Sequence, residues 1–145
     1  MNFLIRKFDI NSQEYKISLE IRDEVFRRPQ GLSIYDDDLS DDFESEMYAG
    51  FLGERMISMA FLKPTENNEG IVRAVIVLDQ FRGLGYGKLM MDKIHESAKK
   101  LGIKKLSLKG RTTAKGFYES LGYETTSQVF DYKGIPHVMM EKEVT

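Results

Sequence analysis

The chain has 145 residues, enough for one domain whose sheet is covered on both faces. Its 41% hydrophobic and 30% charged residues exclude a disordered tail, and 21 basic against 23 acidic side chains, a formal net charge of −2, provide no global basic field for nucleic acid. With no cysteine, disulfides, thiolate nucleophiles and Cys-ligated metals are excluded, and a reducing compartment fits.

Phe3 to Phe8 reads as a first strand. In the opening "MNFLIRKF" the basic residues follow a three-residue apolar run, the wrong order and length for a signal peptide. "NSQE", Asn11 to Glu14, sets a capping side chain three residues ahead of a glutamate, and Tyr15, Leu19, Ile21 and Val25 recur at helical spacing up to a stop before Pro29. Met47 to Leu52 and Met56 to Leu62, joined around "GER", predict an antiparallel hairpin. Ile71 to Leu78 is rich in β-branched residues and predicts a central strand buried on both faces. Its aliphatic stretch Ala74 to Leu78 is far too short to span a bilayer, so a cytoplasmic protein without membrane contact is expected. From Gly87, the spacing of Met90, Ile94, Ala98 and Leu101 predicts a helix closed by Gly102. Lys105 to Lys109 follows as a strand, Thr112 to Leu121 as a helix stopped by Gly122, and Tyr123 to Asp131 with Ile135 to Lys142 as a hairpin around "YKG". The order β-α-β-β-β-α-β-α-β-β predicts a mixed α/β (α+β type) fold with one twisted sheet, in a single domain over residues 1–145.

The segment "DQFRGLGYGKL", Asp79 to Leu89, carries three glycines in five positions between a strand and a helix. That order makes an anion site, since unpaired backbone N–H groups and the positive end of the helix dipole converge there; a phosphate or pyrophosphate is the expected ligand. A dinucleotide fingerprint needs G-x-G-x-x-G, whereas Gly83, Gly85 and Gly87 give G-x-G-x-G. A P-loop needs Ser or Thr after Gly-Lys, where this chain has Leu89.

"QFRGLG", Gln80 to Gly85, resembles the Q/R-x-x-G-x-G/A signature of the GNAT superfamily of N-acetyltransferases, and "AKGFYESLGY", Ala114 to Tyr123, resembles that superfamily's second motif, A-x-x-F-Y-x-x-x-G-F/Y. "IRDEVFRRPQGL" near the start and "GIPHVMMEK" at Gly134 to Lys142 look like a bacterial subgroup with a C-terminal G-I-P-H-x-x-M motif, so the resemblance spans nearly the whole chain. It implies a mostly antiparallel sheet flanked by helices and acetyl transfer from acetyl-CoA to a primary amine by direct attack in a ternary complex, with no metal. The pyrophosphate would be cradled by Arg82, Gly83, Gly85, Tyr86, Gly87 and Lys88. Pantetheine would pair with the free backbone of a splayed strand at Val75, Ile76 and Val77, and Tyr118 would give a proton to the departing thiolate. Many such relatives are dimers, and the last hairpin offers an edge for a homodimer. One position departs from the pattern: Arg111 stands where the second motif often has asparagine.

A phenol remains protonated at neutral pH, which suits Tyr118, although beside Phe117 it also reads as a core aromatic. His137 in "IPHV" is the imidazole placed to take the amine's proton, against the ordinary reading of a hydrogen-bonded structural histidine. Glu69 is a weaker candidate base, and His95 reads as an exposed helix residue. "YDDDLSDDFESE", Tyr35 to Glu46, holds seven acids that would draw in a cationic amine if they rim the cleft and otherwise form a solvated, helix-capping loop; its spacing does not fit a calcium loop. Lys99, Lys100, Lys104, Lys105 and Lys109 read as a solvated surface, without the interleaved aromatics of a nucleic-acid site. A rival from another class is a non-catalytic acyl-CoA-binding or sensing module. The acceptor amine stays open.

Overall fold

The computed structural model describes residues 2–145. Among them eight strands form one sheet. They are β1 (Phe3–Phe8), β2 (Glu46–Leu52), β3 (Arg55–Pro64), β4 (Glu69–Val77), β5 (Lys105–Arg111), β6 (Glu124–Thr125), β7 (Phe130–Tyr132) and β8 (Ile135–Glu143). The order across the sheet is β1-β2-β3-β4-β5-β8-β6, with β7 also on β8, and every pairing is antiparallel except β4 with β5. The mixed α/β fold with one sheet expected from the element order, and the mostly antiparallel pairing that the family resemblance implies, are both observed.

Helix α1 (Gln13–Arg22) lies on one face of the sheet and α3 (Tyr86–Lys100) on the other. Met90, Met91, Ile94 and Ala98 of α3 are fully buried against Leu62, Val72, Leu106 and Met140. Tyr15 and Leu19 of α1 pack with Met47, Met59, Phe61 and Ile76 on the opposite face. Fully burying each such side chain contributes about 1.5–3 kcal/mol, which is why the helices follow the apolar stripes so closely.

Four details differ from the sequence-based expectations. The cap of α1 is Ser12, whose Oγ accepts from the Tyr15 N–H at 3.1 Å, while Asn11 instead donates its backbone N–H to Asp9. Beyond Arg22 the chain continues as a π turn (Asp23–Arg27) and a 3₁₀ turn containing Pro29, and the acidic stretch forms a short helix, α2 (Ser40–Phe43). The segment after Tyr123 is broken into β6 and β7, because Met139 of β8 bonds there to Thr126 and to the Ser127 side chain instead of to a continuous strand. The expected helix over Thr112–Leu121 opens as a 3₁₀ turn, Thr112–Ala114, and is α-helical only as α4 (Lys115–Ser120).

Part of the acidic stretch is the expected solvated, helix-capping loop, with Asp36, Asp38 and Glu44 exposed and Asp38 accepting from the Ser40 N–H at 2.9 Å, but one of its acids is buried. Asp42 of α2 is 1% exposed: its carboxylate accepts from the Tyr15 hydroxyl at 2.7 Å and pairs with Arg22 at 2.8 Å and Arg73 at 3.0 Å, joining α1, α2 and β4. Burial alone would raise this carboxyl; Arg22, Tyr15 and Arg73 outweigh it and hold the group below the ordinary 3.8.

Candidate functional site

The parallel strands β4 and β5 pair only from Glu69 with Lys105 to Val72 with Leu108. Beyond that point they diverge, and the β5-facing edge of β4 has no strand partner from Arg73 to Val77. A bulge adds to the distortion: between the pairs Met59–Ile76 and Phe61–Arg73, β4 spends one residue more than β3, and Ala74 there adopts φ +52°. The gap opens into a cavity of about 1000 Å³. Strand β4 is therefore not buried on both faces as expected; Ile71, Val75 and Val77 line this cavity. The apolar run is the cleft's wall as well as the centre of the sheet.

At the end of β4 the chain turns through Asp79–Phe81 and the glycine segment into α3. Gly83 and Gly85 hold φ of +76° and +91°, and an added Cβ at either would meet nothing within 4 Å. Left-handed geometry at these φ values disfavours any residue with a side chain, and the space above the two glycines is open to a ligand. Gly87 has another reason: its Cβ would meet Phe117 Cζ at 3.2 Å, so α3 can approach α4 only without a side chain. Gly85 caps α3 with no side-chain hydrogen bond, leaving the first-turn N–H groups of Tyr86, Gly87 and Lys88 without an intrahelical acceptor. The side chains are occupied elsewhere: the Tyr86 ring lies 4.7 Å from that of Phe3, and Lys88 pairs with Asp92 at 3.1 Å. Arg82 donates from Nε to the Val77 carbonyl at 3.1 Å, tying the loop back to β4.

Tyr118 on α4 and His137 on β8 both line the cavity. Tyr118 is 7% exposed and packs edge-on against Phe117 and Tyr123. Burial pushes its phenol up to about 12, so it is protonated throughout the neutral range. The His137 ring stacks on Phe130 and stands edge-on to Tyr132, with Nδ1 2.8 Å from the Ile135 carbonyl. A carbonyl only accepts, so Nδ1 carries the proton and the neutral ring keeps its lone pair on Nε2.

Glu69 is not part of this cavity; it pairs with Lys105 at the opposite end of β4. His95 is half-buried rather than exposed, because Nε2 lies 2.8 Å from the Tyr123 hydroxyl; burial holds its pKa below the usual value. Of the five clustered lysines, only Lys109 reaches the cleft. Sequence reasoning left out the π-turn residues Phe26 and Arg27, which form the cleft's far wall, and gave Arg111 no role; Arg111 extends across to the Phe26 ring at 5.1 Å. The available signal was the strand alternation of Ser107, Lys109 and Arg111, which sends all three to one face.

Comparison with known proteins agrees with this geometry. Residues 23–144 match the model of the acetyltransferase (GNAT) domain. A Bacillus subtilis (strain 168) protein named as an acetyltransferase is 32% identical over 138 residues, covering 92% of each chain. The crystal structure of a Lactobacillus plantarum protein described as an N-acetyltransferase superposes with a TM-score of 0.84 at 24% identity over the whole of both chains. An aminoglycoside 6'-N-acetyltransferase complexed with coenzyme A gives 0.79 at 15% identity, covering 98% of this chain and 97% of that one.

Proposed function

The chain belongs to the GNAT family of acetyltransferases, and from that premise we propose that it is one catalytic domain over residues 1–145 that moves an acetyl group from acetyl-CoA to a primary amine. The observation that carries this reading is the uncapped start of α3 beneath the open, left-handed Gly83 and Gly85, at the mouth of the gap between β4 and β5. These residues suit a pyrophosphate: Gly83, Gly85, Tyr86, Gly87 and Lys88 offer backbone N–H groups at the positive end of a helix, and Arg82 adds a cation. The structural neighbour that holds coenzyme A in its crystal supports the same ligand here.

The β4 edge without a strand partner, at Val75, Ile76 and Val77, supplies backbone groups, apart from the Val77 carbonyl that Arg82 holds, that bond the pantetheine arm and polarise the thioester oxygen, on which negative charge grows as the amine attacks. Bond formation leaves an extra proton on nitrogen, and cleavage leaves a thiolate that needs one. Tyr118 stands between these demands. Its phenol, near 12, is a weaker acid than an ordinary thiol at about 8.5, so complete transfer from Tyr118 alone is uphill. It therefore donates a hydrogen bond to the departing sulfur and passes its proton on as the amine's proton replaces it. His137 Nε2 is the base that assists on the amine side, with solvent as its substitute. With no cysteine a cysteinyl acyl-enzyme is excluded, and the reading adopted is direct attack in a ternary complex.

No helix among the described residues is long and apolar enough to cross a membrane; we place the reaction in the cytoplasm, with small-molecule or peptide amines as acceptors and no nucleic-acid partner. The test is release of CoA thiol from acetyl-CoA in the presence of primary amines. Amine-dependent release is expected; acetyl-CoA binding without turnover of any amine would instead favour the non-catalytic acyl-CoA sensor.

A further inference from the structure

The lining of the cleft is far more basic than the molecule. Eight Lys or Arg side chains face it against three Asp, in a chain whose formal net charge is −2. The three acids are all engaged: Asp37 by Arg27 at 2.8 Å, Asp38 by the Ser40 N–H at 2.9 Å, and Asp41 by Lys63 at 2.7 Å. Six of the eight cations pair with a carboxylate within 4.0 Å. The two that have no carboxylate partner among the described residues are Lys109 and Arg111, adjacent on the cleft-facing side of β5.

Each is backed by an aromatic ring. Lys109 Nζ lies 3.6 Å from the centroid of Tyr132, and Arg111 Cζ lies 5.1 Å from that of Phe26. A guanidinium or ammonium held on a ring face is fixed in position while its remaining N–H groups stay free for an anion. Burial weakens the proton affinity of Arg111, and so do the nearby Arg82 and Arg27, so its surroundings lack the negative charge a half-buried cation calls for.

The two cations belong to β5 and not to the glycine loop, although Arg82 of that loop is near enough to act on Arg111. Lys109 and Arg111 stand one and three residues beyond Leu108, the last residue of β5 that pairs with β4, and so line the cleft where the two strands have parted. Resting on the acetyltransferase reading above, we propose that the acceptor amine carries a carboxylate, as a free amino acid or a short acidic peptide does, and that Arg111 and Lys109 bind it. The two cations orient the carboxylate, and the amine is thereby directed toward the thioester between β4 and Tyr118. A polyamine would meet repulsion from the same pair.

The experiment measures initial rates of CoA release with matched acceptors: glycine, glutamate and glycyl-glutamate, each as the free acid and as the corresponding amide, with spermidine as a cationic control. The free acids are expected to show the higher kcat/KM. Replacing Arg111 by Gln should raise KM for the acids by about 10- to 100-fold, the loss of one charged hydrogen-bond pair, with no change for the amides. Arg111→Lys should recover part of that loss, Lys109→Gln should give a smaller increase, and the Kd for acetyl-CoA should not change in any of them. Faster turnover of amides or spermidine, or no turnover of any acid, overturns the proposal. So does a loss of acetyl-CoA affinity in Arg111→Gln, which would assign this cation to the cofactor's phosphates. Failure of wild-type protein to bind acetyl-CoA is a different result and strikes the acetyltransferase reading itself.

Discussion

At the α3 end of the cleft the groups that face a ligand are backbone N–H donors, presented by a loop whose side chains turn to Phe3, Asp92 and the Val77 carbonyl. Along β5 and β8 they are side chains, with Lys109, Arg111 and His137 each set against an aromatic ring. The first end is fixed by backbone conformation and accepts few residues at Gly83 and Gly85. The second is fixed by side-chain packing, so exchanging one cation or ring changes what is recognised without disturbing the sheet. Under the proposed function the first end would serve the acetyl donor and the second the acceptor.

The largest effect should come from breaking the backbone end. Gly85→Val forces a β-branched residue to φ +91°, a strain of about 1–3 kcal/mol that the loop relieves only by moving, and it should abolish acetyl-CoA binding in a protein that still unfolds cooperatively. Wild-type affinity in a calorimetric titration would end the assignment of this loop.

Next is Tyr118→Phe, which keeps the packing against Phe117 and Tyr123 and removes only the hydroxyl. Turnover should fall by about 10²–10⁴, with acetyl-CoA affinity intact. A mere core tyrosine would show no such split between kcat and Kd.

Asp42→Asn tests the support behind the acceptor wall. It leaves the buried Arg22 without its counter-ion and should cost about 3–5 kcal/mol in denaturant unfolding. Because the Asp42 carboxyl is held below 3.8 in the fold, its stabilising contribution is complete above that pH and disappears as pH falls through the folded value. Wild-type stability should therefore drop below about pH 4 by an amount the variant does not show.

The smallest effect is expected from His137→Gln. Solvent can take over the amine's proton, so the loss in kcat should stay below the roughly 100-fold of a dedicated base. A larger fall would make His137 indispensable.

The same division explains what was legible in the sequence. Strands and helices with an unbroken period, such as Met90 to Leu101 on α3, were readable because burial enforces the period. The glycine loop was readable because φ enforces the glycine. The two motifs that resemble the GNAT family supplied Tyr118, which on its own reads as one more packed aromatic. Asp42 was hidden within seven acids: nothing local distinguishes the one whose partners, Arg22 and Arg73, are 20 and 31 residues away. Arg111 stood out only as a departure from the motif, since its lack of a carboxylate and its contact with Phe26 depend on tertiary packing. His95 was misread because its partner Tyr123 comes from the far side of α4 in sequence.

The central claim, that the mouth of the β4–β5 gap is an acetyl-CoA site, is tested most directly by calorimetric titration of the folded protein with acetyl-CoA, using NAD as the control. Saturable binding of acetyl-CoA alone is the predicted result. A folded protein that binds neither, or binds NAD equally well, would contradict it.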